Sequence, residues 1–272
     1  MTQPFRVLSW GGGLQSTALG EMSAQGILPR LDLIVFCDLG WEMPWTADVI
    51  KFYSHRWQLE GIDVRTIKTG NIKDEGGNKH VHVPLWTASG APLRRQCTRN
   101  FKIRPAHRLI REHLGYFPSK PPHPPAGAAE QWLGFSLDER QRATPSSLQY
   151  ITNRWPLLEM NYARWMLPPL FEQWGLPIPR KSACVCCPNR RASEWLYVRR
   201  HWPEVFESAC QWDEKHRYNM VRELGLESGA VYLYKDANDI PAPLREADLE
   251  ADMMHEHQIT AAQMLFGVPL CQ

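Results

Sequence analysis

The chain has 272 residues, 43% hydrophobic and 22% charged, with a formal net charge of +2. Those values fit an ordinary soluble globular protein, and the charge surplus is too small to mark a nucleic-acid binder by itself. No apolar run approaches the ~20 residues of a membrane span and no signal pattern opens the chain, so a cytoplasmic location without a membrane partner is expected. The length suits one large domain, or one with a smaller appendage, whose core needs no staple. Seven cysteines in a reducing compartment point to metal or redox chemistry rather than disulfides. The 12 tryptophans read mostly as packing.

In chain order, Phe5 to Trp10 reads as a strand and Gln15 to Gln25 as a helix. Leu31 to Cys37 is nearly all apolar, as in a parallel sheet covered on both faces. Thr46 to Glu60 reads as a helix, and Ile62 to Lys68 alternates like a third strand. Strand and helix in alternation predict a doubly wound α/β sheet. Asn71 to Gly90 is polar and irregular, and Ile103 to Leu114 is a helix with a basic solvent face. The proline-rich stretch Ser119 to Ala129 is a surface linker, and Gln131 to Ser136 a further strand. From Trp155 prolines punctuate short helices, and Trp195 to Leu224 is largely helical. The expected organisation is an α/β domain over residues 1–160, with a mostly helical cysteine-bearing region over residues 161–272. No internal repeat is present.

Between the first strand and first helix stands Gly11-Gly12-Gly13-Leu14-Gln15-Ser16-Thr17. Glycines there let backbone N–H groups approach phosphate oxygens, and the helix N-terminus adds partial positive charge. A plain tight turn would use glycine only for its dihedral freedom. A Walker loop requires a lysine that this stretch lacks. A dinucleotide fingerprint accepts Gly11 and Gly13 but has Ser16 at its third glycine, with Asp38 where a ribose-binding acid would sit.

The stretch also resembles the PP-loop of the ATP pyrophosphatase superfamily, S-G-G-x-D-S/T, with Gly11 for the leading Ser, Ser9 close by, and Gln15 for the usual Asp. Phe36 to Thr46 resembles the second-strand segment of phosphoadenosine phosphosulfate (PAPS) reductases, with Asp38, Gly40, Pro44 and Thr46 at matching places. The resemblance implies an adenine nucleotide, ATP with Mg²⁺, held by Ser9, Gly11, Gly12, Gly13, Gln15, Ser16 and Thr17, with Asp38 at the sugar.

Cys184, Cys186 and Cys187 fall within four residues, and Cys184-x-x-Cys187 before Pro188 turns two sulfurs toward one centre. Cys97 enters a basic helix upstream. Cys37 and Cys210 read as buried small hydrophobes. A zinc ion would take Cys97, Cys184, Cys187 and a fourth ligand, Cys186 or a histidine. A 4Fe–4S cluster would take Cys97, Cys184 and Cys187 and leave one iron open; adjacent Cys186 and Cys187 are too crowded to ligate one small centre together. The cluster is the favoured expectation and zinc the alternative.

Over most of the chain the order of segments resembles that of sulfonucleotide reductases. Cys97 precedes Lys102-Ile103-Arg104-Pro105, Trp132 to Arg142 follows, and Cys184-x-x-Cys187 comes last. It is most similar to PAPS-reductase-like proteins of phages and prophages. Two features differ from the reductases: Cys97 stands alone where they carry a pair, and Cys271 lacks the E-C-G-L-H surroundings of their nucleophile. Thiol-dependent reduction of PAPS is therefore the rival expectation rather than the first.

Arg94, Arg95 and Arg99 flank Cys97, where cations lower a thiol pKa and bind anions, so Arg95, Arg99 and Lys102 are assigned to substrate. Arg108 and Arg111 read as a solvated helix face. Asp138, Arg140 and Arg142, with Glu139 among them, end a strand at the edge where doubly wound sheets bind ligands, and are assigned to catalysis. Arg190 and Arg191 could extend a nucleic-acid track. The expected activity is adenylation of a substrate by ATP coupled to sulfur transfer, with a sulfur donor or reductant as partner and a nucleobase or nucleic acid admitted as acceptor. A homo-oligomer is also admitted. A non-catalytic nucleotide-binding protein with structural zinc is the reading from another class.

Overall fold

The computed structural model describes residues 3–74, 83–117, 121–224 and 230–266. Cys271, and Ser119 in the expected linker, lie outside the described residues. In chain order the strands and α-helices are β1 (Phe5–Trp10), α1 (Leu14–Ala24), β2 (Leu33–Asp38), α2 (Pro44–Leu59), β3 (Asp63–Lys68), β4 (Trp86–Thr87), α3 (Arg104–His113), β5 (Ala129–Trp132), β6 (Ile151–Arg154), α4 (Pro156–Glu159), α5 (Leu167–Gln173), α6 (Ala192–His201), α7 (Pro203–Leu224), β7 (Val231–Tyr232), β8 (Tyr234–Lys235), β9 (Pro241–Ala242) and α8 (Leu249–Phe266). No described helix is long and apolar enough to cross a membrane.

The chain forms two compact units, one of Met1–Gly70 with Arg99–Cys184, the other of Asn71–Thr98 with Val185–Gln272. The first unit is a doubly wound α/β fold. Its five-stranded sheet has the order β3-β2-β1-β5-β6, and every pairing is parallel. Alternation along each strand sends side chains to opposite faces. Leu8, Trp10, Ile34 and Phe36 meet Leu14, Leu19, Met22, Tyr53, Trp57, Leu167 and Phe171 on one face. Val7, Leu33, Val35 and Cys37 meet Ala106, Ile110, Tyr150 and Ile151 on the other. Both faces are covered, so β2 is an apolar run.

The second unit is mostly helical, built on α6, α7 and α8 with the short antiparallel pairs β4–β7 and β8–β9. The stretch from Trp195 to Leu224 is largely helical as expected, and it is divided between α6 and α7 at Trp202 (φ −139°, ψ 65°). Pro203 drives the residue before it out of the α region. The expected strand at Gln131–Ser136 begins and ends earlier, at Ala129 and Trp132. Asp138, Arg140 and Arg142 follow it on a 3₁₀-helix, Leu137–Arg142, rather than on the strand. Arg111 is buried, not solvated: its guanidinium donates to the carbonyls of Phe117 and Pro122 and meets His123 Nδ1, pinning the segment that enters β5.

Candidate functional site: the glycine loop and its surroundings

β1 ends at Trp10, and three glycines later α1 begins with Gly13 as its N-cap, which offers no capping side chain. The first-turn N–H groups of such a helix lack intrahelical acceptors. The loop is closed from within: Gly11 N–H donates to Ser16 Oγ at 3.3 Å, and Ser16 Oγ donates to the Gly13 carbonyl at 3.3 Å. Gly12 sits at φ +72°, where an L side chain is strained. A Cβ there would also meet Thr46 Cγ2 and Ile50 Cδ1 at 3.1 Å. Ser182 lies over the loop, 3.8 Å from a Cβ built on Gly11 and 3.2 Å from one on Gly13.

The expected loop residues divide by what their side chains already do. Thr17 is buried, donates to the Gly13 carbonyl at 2.8 Å and accepts from Trp10 Nε1 at 2.9 Å, so its hydroxyl builds the loop from behind. Ser9, at the end of β1, accepts from Gln131 Nε2 at 2.6 Å, and Gln131 Oε1 meets His107 Nε2 at 3.2 Å. Burial pushes the His107 pKa down, partly opposed by that Gln131 bond, which suits a neutral ring donating through Nε2. Asp38 ends β2; its Oδ1 accepts the Gly40 N–H at 2.8 Å and its carbonyl accepts from Thr69.

Gln15 is the most heavily engaged side chain of the loop, and it is buried. Its Nε2 donates to Ser136 Oγ at 3.1 Å and to Glu139 Oε2 at 2.6 Å, while its Oε1 accepts from Arg164 Nη1 at 2.7 Å. Asp138 accepts the Arg164 backbone N–H at 2.6 Å and Ser136 Oγ at 3.0 Å. The Arg164 N–H, with help from Ser136 and the Arg164 charge, holds Asp138 below the usual carboxylate range against a smaller desolvation effect. Asp138 thus anchors a turn through these bonds. Arg142 pairs with Glu139 and lies 4.5 Å from the Phe135 ring, whereas Arg140 is exposed. Ser136 and Arg164 were not among the residues that sequence reasoning assigned to a site, and Glu139 was placed at the ligand edge without a role of its own. Ser136 and Glu139 lie beside the assigned Asp138, and for Arg164 no motif gave a signal.

Of the residues expected to bind substrate, Arg95 and Arg99 are exposed and Lys102 is half-buried. Burial pushes the Cys37 thiol up to about 11 and the Cys210 thiol up to about 12, so neither forms a thiolate near neutrality. Cys184 faces Glu42 Oε1 at 3.7 Å, where its segment bridges the loop before α2. Trp45 Nε1 and the Met43 N–H hold that segment through the Lys181 and Ala183 carbonyls. Cys97 and Cys187 belong to the second unit and are half-buried, while Cys186 is fully buried. Among the described residues no three histidine, cysteine, aspartate or glutamate side chains are gathered as a metal ion requires. Arg190 is buried with its guanidinium 5.0 Å from the Trp195 ring, which leaves Arg191 as the exposed member of that pair.

The sequence matches no family model and no curated protein. Among solved structures the chain is similar to PAPS reductase from Candida auris in its phosphate complex, with a TM-score of 0.44 and 16% identity over 65% of this chain and 76% of that one. The fold assignment stands on this chain's own sheet order and register.

Proposed function

We propose that the chain is an adenine-nucleotide-binding PP-loop enzyme that uses ATP with Mg²⁺ to adenylate an acceptor, to which sulfur is then transferred. The observation that carries this reading is the position of the glycine loop. It follows β1 at the carboxyl edge of a parallel sheet, where β2 lies to one side of β1 and β5 to the other. In open α/β sheets ligands bind at that reversal of strand order. Bare N–H groups from Gly11 to Ser16 and the start of α1 suit phosphate oxygens, and Asp38 at the end of the adjacent strand suits the sugar.

In the proposed reaction an acceptor oxygen attacks the α-phosphorus of ATP. The P–O bond to the β-phosphate breaks, pyrophosphate leaves, and the acceptor oxygen becomes part of a leaving AMP. A sulfur nucleophile from a donor then displaces AMP. A nucleobase or nucleic acid is admitted as the acceptor, and Arg95, Arg99 and Lys102 are the proposed anion contacts of the substrate. A 4Fe–4S cluster on Cys97, Cys184 and Cys187 remains a proposal resting on the sequence, with zinc as the alternative. About four irons per chain after anaerobic purification, lost on Cys97→Ser, Cys184→Ser or Cys187→Ser but kept on Cys186→Ser, is the expected result. A colourless protein with one zinc would overturn the cluster.

Equilibrium binding tests the loop. Wild type should bind ATP, and Gly12→Asp should lose it, because an L residue is strained at φ +72° and its Cβ would press on Thr46 and Ile50, displacing the loop. Ser16→Ala removes the hydroxyl that closes the loop onto Gly11 and Gly13 and should weaken ATP by about tenfold, about 1.4 kcal/mol. Preference for NAD over ATP would favour the dinucleotide reading instead. Thioredoxin-driven release of sulfite from PAPS should be absent; its presence, abolished by Cys271→Ser, would establish the reductase reading.

A further inference from the structure

The residue that departs from the PP-loop pattern is the one most tightly built into the site. An amide has one acceptor oxygen and two N–H donors. At Gln15 both donor directions are filled, by Ser136 Oγ and Glu139 Oε2, and the oxygen faces Arg164 Nη1. The amide thus has its donating end on an anion and its accepting end on a cation. Flipping it would set N–H against guanidinium and oxygen against carboxylate. A carboxylate in this place would lie within hydrogen-bond distance of the Glu139 carboxylate, and two such charges at that separation cannot both ionise without penalty.

Glu139 is fixed from its other side by Arg142, whose guanidinium rests on Phe135. Arg164 is fixed at its backbone by Asp138, which also takes the Ser136 hydroxyl. Two surface charges of opposite sign, 25 residues apart in the chain, therefore converge on one side chain in the first turn of α1. The described side-chain bond of Arg164 is to the Gln15 amide oxygen, which holds its guanidinium beside the loop.

We propose that Glu139 and Arg164 are positioning residues of the nucleotide site that act through Gln15, and that this loop requires a neutral amide at position 15 rather than the carboxylate of the PP-loop pattern. The proposal rests on the reading of the loop as a nucleotide site. Gln15 is then no damaged aspartate: Glu139 sets the amide's orientation, and the amide holds the Arg164 guanidinium at the phosphate end of α1.

A charge-swap cycle tests it, read by ATP affinity and, without nucleotide, by the urea midpoint. Gln15→Glu should weaken ATP by about tenfold, the size of coupling found within one hydrogen-bond network. Glu139→Gln alone should cost less, since its side-chain oxygen still accepts from Gln15. The pair Gln15→Glu with Glu139→Gln should bind ATP better than Gln15→Glu alone, because the donor and acceptor have changed places. Arg164→Leu, on an exposed turn, should weaken ATP by about tenfold with little change in the urea midpoint, and it reads the proposal even if Gln15→Glu fails to fold. Additive effects of the two swaps, or full affinity in Arg164→Leu, in a protein whose wild type binds ATP would overturn the positioning role alone. A wild type that binds no adenine nucleotide would overturn the loop reading, and this inference with it.

Discussion

Gly134 has no room for a side chain. A Cβ built there would lie 2.7 Å from the Ser16 backbone nitrogen, 2.9 Å from its Cα and 3.1 Å from the Gln15 carbonyl carbon. These are main-chain atoms in the first turn of α1, so no rotamer change relieves the contact. Gly134→Ala should therefore displace the loop itself, lowering ATP affinity by at least about tenfold and costing about 1–3 kcal/mol of stability, as overpacked sites do. Calorimetric titration beside a urea melt checks both, and unchanged ATP affinity would mean that the loop yields freely at this point. At this scale the sequence made the loop visible because three adjacent glycines before a helix have few other uses. The resemblance set Gln15 where the PP-loop pattern has an acid and gave no reason for the difference. The partners Ser136, Glu139 and Arg164 stand 121, 124 and 149 residues away, and only the folded sheet brings them to it. Thr17 had the right residue type and position, yet its hydroxyl is spent on Trp10 and Gly13.

The elements most legible in the sequence are those buried on both faces. β1 has its expected bounds and β2 lies within two residues of its own, because their apolar patterns answer two layers of helices at once; β3, an edge strand with only Val64 buried, was read from its alternation and starts one residue later than expected. The last two sheet strands were harder. β5 stops at Trp132 so that Gly134 can pass against α1, and β6 is four residues, Ile-Thr-Asn-Arg, with only Ile151 buried. Its place in the sheet comes from pairing with β5, which leaves no period in so short a stretch. The division of α6 from α7 was written in Trp202-Pro203, since proline restricts its predecessor. The tryptophan-rich composition is largely packing: Trp10 meets Trp57 at 4.7 Å and Phe36 at 5.9 Å between ring centroids. Trp165 is the contrary case, at 74% exposure.

Both units bury titratable groups, and their shifts fix how the whole molecule responds to pH. On the alkaline side burial raises Cys37, Cys210, Tyr53 and Tyr234, so each favours the fold while neutral, and that contribution fades as pH rises past the ordinary thiol and phenol values. On the acid side two inner groups, the half-buried His107 and the buried Glu21, respond beside more exposed carboxylates that ion pairs and hydrogen bonds lower. The lowered pKa of His107 means that the fold favours its neutral ring; this stability is present above 6.5 and is lost as pH falls through the folded value. Glu21 is fully buried, and burial alone would raise its pKa. Hydrogen bonds from Arg56, Gln25 and Trp57, with the charge of Arg56, outweigh that and leave it below 4.5. Its contribution is present above 4.5 and is lost as pH falls through the folded value. The urea midpoint should therefore decline in two acid stages, and His107→Gln should remove the one that begins near 6.5.

Arg56→Met inverts the second stage. It strands a carboxylate whose side chain is 0% exposed, at a cost of about 3 kcal/mol at neutral pH by comparison with other broken buried pairs. With its cation gone, burial acts on Glu21 unopposed by charge and lifts its folded pKa above the unfolded one. Protonation then favours the fold, so the variant should gain stability relative to wild type as pH falls toward 5. Parallel urea melts from pH 7 to pH 5 decide the matter. Curves that stay a constant distance apart would mean that Gln25 and Trp57 alone keep Glu21 ionised in the core.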